Sequence, residues 1–185
     1  MPNVVTICGS LRKGSFNRML ANALPGLAPE GMTITAAPPI DMPLYNADVQ
    51  AQDFPPAATA LADAIRAADG IVIVSPEYNW SMPGVLKNAI DWMSRMKEQP
   101  FGGKPVALQS ASTGLLGGSR MQYHLRQSLT SIDAQILGRP EVVVTFAKDK
   151  FDEATGELKD AATRDVVRQQ LAAFALYMRR LSRAD

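Results

Sequence analysis

Val4-Val5-Thr6-Ile7-Cys8-Gly9-Ser10-Leu11-Arg12-Lys13-Gly14-Ser15-Phe16-Asn17-Arg18 is the stretch on which the reading of the fold turns. Its first part is short, β-branched and without alternation, which predicts a buried strand over Asn3–Cys8. Its last part predicts a helix over about Ser15–Leu24, with Ser15 placed as an N-cap. Strand, loop and helix N-terminus in succession form a seat for an anion, because the unpaired N–H groups and the helix dipole both favour negative charge there.

The loop between them matches no common nucleotide cradle. A dinucleotide fingerprint, G-x-G-x-x-G, fails where Leu11 stands for the second glycine. Gly9 and Gly14 have P-loop spacing, but Ser15 stands where that motif needs lysine. Ser10-Leu11-Arg12-Lys13 fits S-x-x-K without the partner motifs of a serine nucleophile. What remains is two hydroxyls (Ser10, Ser15), an amide (Asn17) and a cation (Arg12). That set suits a terminal phosphate monoester, with its three acceptor oxygens and nearly two charges. The plainer alternative is a capped turn with solvated Arg12 and Lys13.

Outward from this stretch, strands and helices alternate. Strands are predicted near Thr33–Ala36, Gly70–Ser75, Pro105–Ser110 and Glu141–Phe146. Helices are predicted over Ala57–Ala68, Pro83 to about Met96, about Arg120 to Gln135, and Ala161–Leu181. In the last helix Val167, Leu171, Phe174, Met178 and Leu181 fall on one face. Pro38–Pro56 reads as a long proline-rich loop, of a length that is often functional. Five alternating strands predict a parallel sheet covered on both sides. The expected fold is a flavodoxin-like three-layer α/β/α sandwich with strand order 2-1-3-4-5, one domain over residues 1–185. Ligands in such sheets bind at the carboxyl ends of the strands, near the switch point between strands one and three. Three loops should converge there: Gly9–Ser15, Pro76–Ser81 and Ser112–Ser119.

Bulk properties narrow the function class. With 185 residues a core can form without disulfide or metal staples. A net charge of +1 offers no basic field for nucleic acid or an anionic membrane. The single cysteine, Cys8, excludes a disulfide framework, and the single histidine, His124, excludes most zinc sites, so no metal is expected. No signal peptide or membrane-length apolar run is visible, and a cytoplasmic setting is expected.

The second loop, Pro76-Glu77-Tyr78-Asn79-Trp80-Ser81, sets two aromatics beside polar backbone, which suits a flat heterocycle. The glycines of Ser112-Thr113-Gly114-Leu115-Leu116-Gly117-Gly118 would let backbone donors approach a ligand closely. Surface aromatics and an ordinary strand-to-helix turn are the plainer readings of these two loops. Cys8 reads as a buried hydrophobe and His124 as structural or interfacial. Val85, Leu86, Ala89, Ile90 and Met93 share one helix face, as core or as a dimer seam.

With these loops in view, the chain resembles the NADPH-dependent FMN reductase family, in the branch of bacterial soluble quinone and chromate reductases. The matching text is Gly9 to Asn17, Pro76-Glu77-Tyr78-Asn79 with Pro83-Gly84, Leu86-Lys87-Asn88-Ala89-Ile90-Asp91-Trp92, and Gly117-Gly118 with Arg120 and Gln122 to Gln127. The resemblance implies bound FMN, NADPH or NADH as co-substrate, a small-molecule electron acceptor, and cytoplasmic homo-oligomers built from dimers. By motif, Ser10, Arg12, Ser15, Phe16 and Asn17 would bind the phosphate end of FMN. Pro76, Glu77, Tyr78 and Asn79 would edge the isoalloxazine, with Ser112 and Gly114 beside it. Tyr78 and Trp80 would line the substrate pocket; Trp80 stands where the family often carries tyrosine. Arg120, Tyr123 and Glu141 are candidates for a second interface. No side chain is assigned as catalytic, since flavin N5 would carry the hydride from NAD(P)H to quinones, with chromate and azo compounds as side substrates. The rival readings are a flavodoxin-type electron carrier and a reductase of free FMN.

Overall fold

The computed structural model describes residues 1–182. β1 (Asn3–Cys8) and β3 (Gly70–Val74) are runs of β-branched residues buried along nearly their whole length, as strands covered on both faces must be. They pair in parallel with Cys8 opposite Val74, so both end at the same edge of the sheet. β2 (Thr33–Ala36) flanks β1 and β4 (Pro105–Ala111) flanks β3. The order β2-β1-β3-β4-β5 is the one expected.

The fifth position departs from expectation. Instead of one strand over Glu141–Phe146, two short strands line the outer side of β4. β5 (Gln135–Ile136) pairs with Pro105 and Val106, and β6 (Val142–Val144) pairs with Gln109 to Ala111. β5 begins at Gln135, where the predicted helix was to end. That helix, α5, covers only Ser119–Thr130. It stops because Asp133 adopts φ 59° and the Ala134 N–H turns back to the Leu129 carbonyl, a six-to-one closure that releases the chain into the sheet. Opposite the break, Gln170 supplies what a strand would have supplied. Its amide donates to the carbonyls of Leu108 (3.1 Å) and Pro140 (2.8 Å) and accepts from the Gln109 amide at 2.9 Å.

Alternate residues of the strands point to opposite layers. Val4, Val72, Val74 and Ala107 pack against α1 (Phe16–Ala23) and α7 (Ala161–Leu181). Val5, Ile7, Ile71, Ile73 and Leu108 pack against α3 (Pro56–Ala67), α4 (Gly84–Met93) and α5. The shared face of α4 is therefore core: Leu86, Ala89, Ile90 and Met93 are buried and Val85 is partly so. Pro83 takes the position just before that helix. The long Pro38–Pro56 segment is held by α4 rather than by structure of its own, apart from one turn of helix, α2 (Ala47–Gln50), that the sequence pattern did not predict. Asn88 accepts from the Tyr45 N–H at 2.8 Å and donates to the Pro43 carbonyl at 2.9 Å, and the Trp92 indole donates to the same carbonyl at 2.8 Å. A last short helix, α6 (Ala147–Lys150), follows β6.

Candidate functional site

The three loops predicted to converge do leave from one edge, the carboxyl ends of β1, β3 and β4. The first, Gly9–Ser15, crosses so close to the end of β3 that a Cβ on Gly9 would collide with the Ser75 side chain, 2.7 Å from its Cβ. Only glycine fits there. Ser10 and Ser15 are buried, at 3% exposure each, although both are polar. Ser15 occupies the N-cap position of α1 with extended backbone, but its hydroxyl makes no capping bond, contrary to the expectation for that residue. The hydroxyl and the N–H groups of the first turn of α1 thus remain available to an outside acceptor. The Arg12 side chain is exposed at the same loop.

Asn17 is placed differently from the sequence reading. Its amide makes a reciprocal pair with the Ala111 backbone, Nδ2 donating to the carbonyl and Oδ1 accepting from the N–H, both at 2.9 Å. The side chain ties α1 to the end of β4, and what Asn17 can offer a phosphate is chiefly its own backbone N–H. Arg18 has a role that spacing did not reveal: it donates to the Ser10 carbonyl at 3.1 Å and holds the loop from behind. Cys8 is buried as expected, and burial pushes its thiol pKa up, only partly opposed by a backbone hydrogen bond from Ser10 and by the charge of Arg18.

The second loop is a tight turn. Tyr78 and Ser81 exchange backbone hydrogen bonds of 2.9 and 3.0 Å around Asn79 (φ 49°) and Trp80 (φ 69°). Two left-handed residues in succession define a type I′ turn, and a tryptophan there is sterically disfavoured. Tyr78 and Trp80 are 52% and 65% exposed. The Glu77 carboxylate points into the protein. It accepts from Arg120 Nε at 2.9 Å and from the Met121 N–H at 3.2 Å, and so caps α5. The Arg120 guanidinium lies 4.3 Å from the centre of the Trp80 ring. His124 Nδ1 is 3.3 Å from Ser81 Oγ.

In the third loop the Ser112 hydroxyl accepts from the Gly114 N–H at 3.1 Å. Gly117 and Gly118 have φ of 55° and 93°, and a Cβ on Gly118 would lie 2.8 Å from the Ser110 Cβ. The loop lies closely against the strands for that reason. Phe146 follows β6 at φ 49°, half-exposed, its N–H directed to the Gly114 carbonyl at 3.4 Å. Of the proposed interface residues, Arg120 is engaged with Glu77, Glu141 lies 3.6 Å from Arg126, and Tyr123 is exposed.

This donor set fits a phosphorylated ligand with a flat ring. Two buried hydroxyls, open helix N–H groups and a guanidinium stand at one end, and aromatic faces with glycine backbone at the other.

Residues 2–149 match the family model described as NADPH-dependent FMN reductase. The chain is 53% identical over 180 residues to a quinone reductase of Escherichia coli, covering 96% of each chain. It is 51% identical to an NAD(P)H-dependent FMN reductase of Pseudomonas aeruginosa, again over 96% of each. The flavoenzyme NAD(P)H:(acceptor) oxidoreductase of Paracoccus denitrificans has a similar structure, with a TM-score of 0.87 and 32% identity over 97% of this chain and 98% of that one.

Proposed function

This chain belongs to the NADPH-dependent FMN reductase family, and on that premise we propose that it is an NAD(P)H-dependent flavoenzyme that reduces quinones and similar acceptors through bound FMN. The observation that carries this reading is the Gly9–Ser15 loop, with buried Ser10 and Ser15 hydroxyls beside the open first turn of α1. Those groups and Arg12 would hold the FMN phosphate. Phe16 and Asn17 would contribute backbone N–H groups to the same end. Bound FMN supplies the hydride and electron chemistry, which is why no acid–base pair of side chains is required.

The protein's own part is to position and to exclude. Pro76, Glu77, Tyr78 and Asn79 would border the ring, Glu77 through its backbone because its carboxylate is engaged with Arg120 and α5. Ser112 and Gly114 would approach the ring from the other loop, where the lack of a side chain on Gly114 leaves room for it. Tyr78 and Trp80, both exposed, would wall the space in which the nicotinamide and then the acceptor sit. Among the described residues no helix is long and apolar enough to cross a membrane. The same reading makes the protein a cytoplasmic homo-oligomer.

The visible spectrum of the purified protein tests this directly. Flavin bands that bleach on anaerobic addition of NAD(P)H and return on addition of a quinone are expected. A colourless protein that takes up no added FMN would overturn the proposal. One that holds FMN but oxidises no NAD(P)H would be an electron carrier instead.

A further inference from the structure

The Tyr78–Ser81 turn closes on its own backbone bonds and is braced from α5. Glu77 binds Arg120 Nε and the Met121 N–H, Trp80 lies under the Arg120 guanidinium, and Ser81 meets His124. Arg120 and His124 are four residues apart and share one face of that helix. A strained conformation such as that of Trp80 persists where its surroundings over-determine it, and these contacts do so. Arg120 covers one face of the indole, while the residue as a whole is 65% exposed. The other face is therefore free, at the sheet edge where the ligand loops converge.

We propose that the open face of Trp80 is a stacking platform for a planar, ring-shaped electron acceptor, and that Arg120 is the positioning residue that sets the platform's orientation. The proposal rests on the quinone-reductase reading above and extends it to substrate class. Because Glu77 neutralises Arg120, the pair adds no net charge beside the ring. The platform discriminates by shape and π-face rather than by charge. Planar quinones should depend on it, and a compact inorganic oxidant such as ferricyanide should not. Arginine is required because a planar guanidinium stacks where an ammonium cannot.

The test uses the full-length holoenzyme with a naphthoquinone and with ferricyanide as acceptors. Trp80→Ala is expected to raise KM for the naphthoquinone roughly three- to tenfold, with ferricyanide KM changed less than about twofold and Trp80→Phe restoring part of the loss. Arg120→Ala and Arg120→Lys should both raise quinone KM, by less than Trp80→Ala. In the FMN-free protein both should increase acrylamide quenching of tryptophan fluorescence, which reports Trp80 because the only other tryptophan, Trp92, is fully buried. Equal KM shifts for both acceptors, or an unchanged naphthoquinone KM in Trp80→Ala, would overturn the platform. Full rescue by Arg120→Lys would assign the effect to the ion pair and overturn the stacking role. A KM change that appears only with an altered elution volume on size exclusion would place Arg120 in an interface and overturn it likewise. Failure of the wild-type protein to bind FMN or reduce any quinone would instead remove the proposed function itself.

Discussion

The Gly9–Ser15 loop and the Tyr78–Ser81 turn stand at the same edge of the sheet but are built on opposite plans. In the first, the polar groups proposed to meet a phosphate are buried, with Ser10 and Ser15 almost inaccessible, and they come from one short run of chain. In the second, the apolar rings are exposed and the polar groups are turned inward, Glu77 towards α5. The turn keeps its shape through a partner 43 residues away in sequence. A charged, fixed group can be held by donors supplied locally. A surface for exchanging flat substrates has to stay open, so its geometry is maintained from behind.

The largest effect should come from breaking the side-chain tie that anchors α1, just after the first loop, to β4. Asn17→Ala leaves both the N–H and the carbonyl of Ala111 without their partner in a buried position. A loss of about 3 kcal/mol is expected, or roughly 6–12 °C in thermal midpoint. FMN affinity should fall with it, measured by flavin fluorescence on titration. Arg12→Ala should separate binding from stability. Its exposed side chain leaves the thermal midpoint in place, while FMN binding weakens by about 1.5–3 kcal/mol, roughly ten- to a hundredfold. Unchanged FMN affinity would remove Arg12 from the site.

The smallest effect should come from a control that bonds to neither loop. Asp160 caps α7, its carboxylate accepting from the Thr163 N–H at 2.8 Å and from the Thr163 hydroxyl. Asp160→Ala should cost about 1 kcal/mol in urea unfolding and leave FMN affinity and quinone KM alone. The Thr163 hydroxyl and then its N–H hold the Asp160 carboxyl below its ordinary value. A carboxylate depressed in the folded state stabilises above its unfolded pKa and loses that contribution as pH falls through the folded one. The wild-type advantage over Asp160→Ala should thus be steady near neutrality and shrink below about pH 4.

What could be read from the chain divides along the same line. The strand order, the carboxyl-edge loops and the buried hydroxyl candidates follow from local pattern: β-branched runs, glycine positions and a helix start. The roles of Asn17, Arg18 and Glu77 do not. Asn17 serves a strand end 94 positions away, and Glu77 is consumed by the start of a helix 43 positions away. β5 was missed because Gln135 and Ile136 become a strand only through pairing with Pro105 and Val106, which no local propensity records. The one turn of helix in the long loop did carry a local signal, Asn46 accepting from the Asp48 N–H as its cap, which the proline-rich surroundings masked.

The rung supplied by Gln170 across the broken fifth strand has a consequence for descent. A side chain on the last helix completes the backbone bonding on the outer side of β4, so positions 109 and 170 are bound to each other's fate. A change at either leaves a buried amide of the other without its partner. Loss of the chain from residue 170 onward would unpick the middle of the molecule rather than trim its end.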